Sequence, residues 1–416
     1  MKSIRAVYNR AAGYLGISFF TKDFMRFVRM HLLFSAAVNL SGIFLGIFLI
    51  RAGGTAADIC VYYICAYAFE MAGNLFMPWL TSRFSQTVLS RVGMLMYLCS
   101  YLTLLVVQKR ALSVFPLIAL FGAVGGSLYW LPYHHFCVEL TQPHTRQMAM
   151  SFMGLLVNFV VLVVPLVSGV ITANMEGMSG YIVIFSISAV CFALGIFISR
   201  RLPAKKLPPR KRVLLSFFRK DFGRVSGVFS TNILYGIREG VYSYFFNLLI
   251  FSRIDSEFVL GLNVTARCAL AILTFIVMGK VLTYKRRIRW NFYVLGAGVA
   301  LSSLLLISAH AAIIMTVYIL DAVYVTYVGN SLQFCTYEAA DSISSPGESK
   351  RDVVMSVRNA SLNLGRVLGI IGLLLVLNFS GDTLAVWPIV ALNAIAALSA
   401  VTMWRAHKAM DKAAHG

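Results

Sequence analysis

Seven ionisable residues stand inside long apolar runs: Glu70, Arg238, Glu239, Arg267, Asp321, Arg358 and Arg366. A charge in apolar surroundings is costly unless it is paired or faces water, so such positions mark ion pairs, solute pathways or both. Arg238 and Glu239 are neighbours in ILYGIREGVYSYFF, and successive side chains on a helix diverge by about 100°. Each therefore needs a partner on another segment: Glu239 with Arg366 or Arg267, and Arg238 with Asp321. Burial disfavours an ionised carboxylate and a nearby Arg favours it, so a change in their spacing switches proton affinity. Glu70, Glu239 and Asp321 are the candidates for proton coupling. The same residues also read as buried pairs that fix helix registry and touch no solute. Four arginines against three carboxylates leave a slightly positive interior. That favours a solute with a carboxylate, phosphate or sulfate held by an Arg fork, with Arg238, Arg267 and Arg366 as candidate contacts.

A second group lies in GGSLYWLPYHH, residues 125–135. Tyr129, Trp130 and Tyr133 could form a stacking wall for an organic solute, and His134 could titrate near neutral pH. The alternative is that these rings belong to the aromatic belt at the membrane surface. His134 and His135 diverge as helix neighbours and make no metal site. Asn39 and Asn158 are polar intrusions suited to helix–helix hydrogen bonds or to solute contact, Asn39 being the candidate for the latter. No GxSxG, HExxH or GxxxxGK[ST] stretch is present, so neither catalysis nor a cofactor is expected. The seven cysteines form no CxxC pair and are odd in number, which indicates neither a disulfide framework nor a zinc site.

The elements that must hold these residues follow from composition. Apolar residues make up 59% of 416 and charged ones 13%, with a net charge of +21. A soluble domain of this size could not hide so much apolar surface, whereas lipid can solvate it. At about 20 apolar residues per crossing, twelve spans are predicted: 29–50, 57–80, 92–108, 112–138, 148–173, 181–199, 225–251, 258–281, 291–308, 311–337, 353–378 and 384–404. With the N-terminus inside, 29 of the 37 Lys and Arg fall in inner segments or at their span edges. Only Arg51, Lys109, Arg110 and Arg253 fall in outer loops, and this bias predicts both termini in the cytoplasm. Positive loops of a membrane protein account for the charge, and no nucleic-acid partner is expected.

Residues 200–224, with RRLPAKKLPPRKR, read as a basic cytoplasmic linker rather than a folded element. They divide the chain into an interfacial segment 1–28, a six-helix unit 29–199, the linker 200–224, a second six-helix unit 225–404, and a tail 405–416. The phrase SFFTKDFMR at 18–26 returns as SFFRKDFGR at 216–224, seven of nine letters alike. Rings at headgroup depth beside Lys and Arg suit an anchor on anionic lipid. Two copies before spans one and seven favour a duplicated unit of six crossings.

Twelve spans in two halves, cytoplasmic ends and a basic central loop resemble the major facilitator superfamily over almost the whole chain. That family's loop between spans two and three reads roughly G-x-L-A-D-R-x-G-R-R. Here Pro78-Trp79-Leu80-Thr81-Ser82-Arg83-Phe84-Ser85-Gln86 keeps Leu80 and Arg83 and has Ser82 at the Asp position. Its second-half counterpart, GKVLTYKRRIR at 279–289, keeps Gly279 and has Thr283 there. The resemblance implies a gating role for Arg83 and Gly279, with a gating contact that differs from the family's. Pro165-Leu166-Val167-Ser168-Gly169, with Val160 and Val164 at the leading glycine positions, is half of the antiporter pattern G-x-x-x-G-P-x-x-G-G.

The fold class expected is an all-α integral membrane protein of twelve transmembrane helices in two pseudo-symmetric bundles. The function expected is secondary transport of a small organic, anionic or amphiphilic solute across the cell membrane by alternating access. Protons, or another cation, are the expected coupling ion, with a lean to export; the protein is expected to be a monomer with membrane lipids as its other partners. Uptake by symport and lipid flipping remain open, as does a non-transporting sensor or assembly partner of the same fold.

Overall fold

In hydrocarbon every peptide N–H and C=O must find its partner within the protein, and an uninterrupted helix satisfies them locally. The computed structural model describes residues 20–141, 146–203, 213–281, 284–308, 310–344, 350–380 and 386–415, and among them there are helices and no strand. The long helices are α1 Lys22–Arg51, α2 Ala56–Arg83, α3 Gln86–Val107, α4 Phe115–Glu139, α5 Arg146–Ala173 and α6 Ser179–Ser199. They continue as α7 Phe222–Ile254, α8 Glu257–Val281, α9 Tyr284–Ile307, α10 Ala311–Ser342 and α11 Arg351–Ser380. The last two, α12 Trp387–Ala397 and α13 Ser399–His415, meet at Leu398. Among the described residues eleven stretches are long and apolar enough to cross a membrane, α12 and α13 together supplying one of them. α7, with 33 residues, runs beside them and carries Arg238 and Glu239 near its middle.

α1 packs on α5 and α6, α3 on α4 and α6, and α2 on α4. In the second group α7 packs on α10, α11, α12 and α13, while α10 also meets α8 and α9. The two groups touch mainly along α2 with α11 and α5 with α8. The α5–α8 joint is a glycine crossing. A methyl on Gly261 would lie 2.7 Å from the Pro165 carbonyl oxygen, and one on Gly169 2.9 Å from that of Glu257. The Pro165–Gly169 stretch thus lies on the face of α5 that meets the other group.

Closest of all is the α7–α11 seam. Gly236 and Gly240 on α7 face Gly365 and Gly369 on α11, each pair at GxxxG spacing, which lets two backbones touch. A methyl on Gly365 would run into the Ile233 carbonyl and one on Gly369 into that of Ile237, while one on Gly240 would sit 2.6 Å from Arg366 Cα.

Two expectations need correction. The rings of the repeated phrase do not all face headgroups. In the first copy (residues 18–19 lie outside the described residues) Phe24 is buried and Phe20 packs on Phe24 and on Phe152 of α5. In the second copy Phe217 is buried and Phe222 stacks on Phe229, leaving Phe218 exposed. Both phrases run into helix, whose period turns part of each ring set inward. Nor is 200–224 wholly irregular. Residues 204–212 lie outside the described residues, but Val213–Lys220 forms a helix, and Asp221 after it accepts a 2.9 Å hydrogen bond from Lys350 Nζ. Once past its prolines, VLLSFFRK has an apolar face to bury and no helix breaker.

Candidate functional site

The α7–α11 seam places Glu239 against Arg366. Arg366 Nε and Nη2 donate to the two carboxylate oxygens, the second bond 3.0 Å long. Two parallel bonds of this kind fix orientation as well as charge. Arg366 Nη1 donates to Asn363 Oδ1 at 2.8 Å and lies 3.9 Å from Glu70 Oε2 on α2. The guanidinium also lies 4.9 Å over the Tyr67 ring. Glu70, Glu239 and Arg366 keep 25%, 24% and 17% of their side-chain surface accessible. The cluster therefore bridges the two helix groups and is only partly closed. One turn nearer the chain termini, Asn359 of α11 donates to Asn74 Oδ1 of α2 at 3.4 Å.

Arg238 points elsewhere, as the 100° step from Glu239 requires. It is fully buried, with its guanidinium 3.7 Å from the Tyr242 ring centre and 3.8 Å from that of Tyr324. It donates to Asp321 and to Asn393 Oδ1. Asp321 also accepts from Arg267 at 3.3 Å, and Asn393 donates to Tyr242 Oη at 2.5 Å and to the Gly298 carbonyl at 3.2 Å. Five helices, α7 to α10 and α12, are tied at this point. Arg238 presents no surface to a solute in this conformation, whereas Arg267 keeps a quarter of its side chain accessible.

The aromatic residues of α4 divide. Tyr129 is buried within the first group, stacked 3.5 Å from Phe34 and sharing a 2.9 Å hydrogen bond with His31 Nδ1. Trp130 is 38% exposed and edge-on to half-buried Tyr133, whose ring lies 4.4 Å from His31. Of the three rings read as a wall, Tyr129 thus lies in the core, while Trp130 and Tyr133 stay partly exposed. His31 escaped the sequence reading; its signal was a polar ring inside the apolar start of span one. His134 is half-buried edge-on to Tyr133, and His135 Nε2 lies 3.2 Å from Asp352 of α11. Asn39 donates to the Ser35 carbonyl of its own helix at 2.7 Å. Arg83 is exposed at the end of α2 over the Trp79 ring. Gly279 lies in the last turn of α8, and Thr283 lies outside the described residues.

A further junction that the sequence did not single out closes the end opposite the termini. Arg51 Nη2 donates to Asp255 at 2.9 Å and to Glu257 at 3.2 Å, and Tyr181 Oη donates to the same Glu257 oxygen at 3.0 Å. Asp255 caps α7 in the left-handed region (φ 48°), making the tight turn that presents both carboxylates. Beneath this junction Cys60 of α2 is buried against Tyr244 of α7 at 3.1 Å. An exposed ion pair contributes about 0.2–1 kcal/mol, so Arg51→Ala should raise maleimide labelling of Cys60, as the sole remaining cysteine, by up to about fivefold. Unchanged labelling would show that the bridge does not hold this end shut.

Two helix groups with matched joints, ionised side chains concentrated at one joint and inside the second group, define a two-bundle membrane transporter. Residues 27–369 match the Major Facilitator Superfamily, and the chain belongs to that family. Its fold is similar to that of a D-xylose-proton symporter (TM-score 0.68, 12% identity, 92% of this chain and 96% of that one). It is also similar to a bacterial homologue of the iron transporter ferroportin in an inward-facing state (TM-score 0.70, 12% identity, 92% and 98%). In sequence it is similar to the uncharacterized protein YqgE of Bacillus subtilis (strain 168), 24% identical over 352 residues, 83% of this chain and 80% of that protein. The chain is a multi-pass membrane protein and a secondary transporter.

Proposed function

We propose that this transporter moves a small organic solute with proton coupling, and that Glu70 carries the proton. The observation behind this reading is the cluster of Glu70, Arg366 and Glu239 across the joint. The glycine seam binds Glu239 and Arg366 into one group, so their spacing survives a rocking motion. Glu70 belongs to the other group, and its 3.9 Å approach to Arg366 is what such a motion alters. Opposite charges about 4 Å apart attract by about 4 kcal/mol at an effective dielectric near 20, and by about half that at twice the distance. The two conformations therefore hold Glu70 with different proton affinities. Its other facing groups are Tyr97, Asn363 and, beside Arg366, Glu239.

The positive bias of one set of loops supports both termini in the cytoplasm. The lean to export rests on the half match of Pro165–Gly169 to the antiporter pattern, a stretch that lies at the α5–α8 joint. The name of one structural neighbour, a D-xylose-proton symporter, is consistent with proton coupling in this fold.

Liposomes holding the protein, given a pH gradient and a panel of solutes, provide the test through an internal pH dye. At least one solute should drive proton movement. Glu70→Gln should reduce that movement tenfold or more while leaving solute exchange at equal pH intact. If Glu70→Gln moves protons like wild type, the assignment of the proton to Glu70 is wrong, and if Glu239→Gln and Asp321→Asn do so as well, coupling through these carboxylates is lost altogether.

A further inference from the structure

Of the four arginines deep inside the spans, three pair with a carboxylate among the described residues. Arg238 and Arg267 share Asp321, and Arg366 holds Glu239. Arg358 makes no ion pair among the described residues; its hydrogen bond goes from Nη1 to the Asn359 amide oxygen at 3.0 Å, and its Nε is buried without a partner. The carboxylate in its electrostatic neighbourhood, Glu239, is already taken by Arg366. An uncompensated guanidinium at this depth is costly, and an arginine kept for registry alone would be paired as its three counterparts are.

Its position suits a ligand. Arg358 lies seven residues into α11, about 10 Å along the helix, at the joint where Asn359 meets Asn74 of the other group. Tyr337 of α10 and His134 of α4, one from each group, lie within its electrostatic reach. Tyr337 is 38% exposed and lies near Tyr133, which packs on equally exposed Trp130. A guanidinium with an unpartnered Nε beside partly exposed rings from both groups matches a planar head-and-body ligand.

We propose that Arg358 is the anion receptor of the solute site, and that the solute is a small aromatic anion. Its carboxylate or phosphate takes the Arg358 guanidinium, and its ring lies against Trp130, Tyr133 and Tyr337. This deepens the reading of the chain as a carrier of an organic solute and rests on it. It also relocates the positive charge that the sequence assigned to Arg238, Arg267 and Arg366. Those three are held by carboxylates, and Arg358 is the one left to bind from outside.

Equilibrium binding to the purified full chain tests this without requiring transport. Radiolabelled benzoate and phenyl phosphate are offered to the protein in nanodiscs, with benzamide and benzyltrimethylammonium as competitors. Wild type should bind at least one anion, resist both competitors, and behave alike in phosphatidylcholine and phosphatidylglycerol discs. Arg358→Gln should weaken binding tenfold or more and Arg358→Lys less, since an ammonium keeps the charge but not the fork. Tyr337→Leu should weaken benzoate more than acetate, and it keeps the test open should Arg358→Gln misfold. Equal binding by Arg358→Gln, preference for the neutral or cationic ring, or loss of binding in phosphatidylglycerol discs (a lipid headgroup as the occupant) would each overturn the proposal. Anion binding through Arg358 without proton flux would sink the coupling reading and leave this one standing. Proton flux driven by a neutral solute in Arg358→Gln would do the reverse.

Discussion

Asp321→Ala should be lost as a folded protein well before its transport can be assayed. Removing that carboxylate leaves Arg238 fully buried with Asn393 and two tyrosine rings as company, and Arg267 without its acceptor. Breaking one side of a buried pair costs about 3–5 kcal/mol, a large share of the about 5–15 kcal/mol that holds a typical protein folded. In detergent the variant should lose its monodisperse elution at temperatures that wild type survives, and Asp321→Asn should fall between them. The double variant Arg238→Met with Asp321→Leu should recover part of the loss, because it removes the fully buried stranded charge and leaves only Arg267, a quarter accessible, without its acceptor. This separates the two roles that the sequence left open for Asp321. If Asp321→Ala melts with wild type and only proton flux disappears, Asp321 belongs with Glu70 in coupling, and the five-helix tie is not what stabilises the second group.

Much of this was legible in the chain. Lipid leaves helices as the economical way to bury a backbone, so apolar length alone located the long helices. The pairing of Arg238 with Asp321 also followed, because neighbours 100° apart cannot share a partner and few opposite charges were within the spans. For Glu239 the sequence left Arg366 and Arg267 open, and the fold gives it Arg366 and gives Arg267 to Asp321. What stayed hidden depends on azimuth. Nothing in GGSLYWLPYHH tells which ring turns to Phe34 and which to open space; the packing of α1 and α4 decides it. Arg51 looked like one more loop charge because its partners, Asp255 and Glu257, come from the other helix group across a turn. That Arg358 has no carboxylate partner among the described residues could be seen only after the partners of the other arginines had been placed. Glycine spacing was present in the sequence as GIREG and GRVLG, yet the same spacing occurs at GIFLG in α1, where a methyl on either glycine would meet nothing within 4 Å.

That coincidence makes a controlled experiment. A methyl added to Gly42 or Gly46 of α1 would meet nothing within 4 Å, whereas one on Gly365 of α11 meets the Ile233 carbonyl and the Gly236 backbone. An interior helical glycine costs about 1 kcal/mol relative to alanine, so Gly42→Ala should be neutral or stabilising by up to that amount. Gly365→Ala has the same intrinsic gain but must part α7 from α11. Overpacking typically costs about 1–3 kcal/mol and more where backbone must move, so its net effect should be a clear fall in melting temperature, and Gly365→Val should be worse. Parting the seam also lengthens the two bonds between Arg366 and Glu239, which need both nitrogens on both oxygens. Any Gly365→Ala protein that does fold should therefore lose proton-coupled flux more steeply than it loses solute exchange. A melting temperature for Gly365→Ala equal to that of Gly42→Ala would mean that the two helices do not meet through glycine. The cluster at the joint would then need another support.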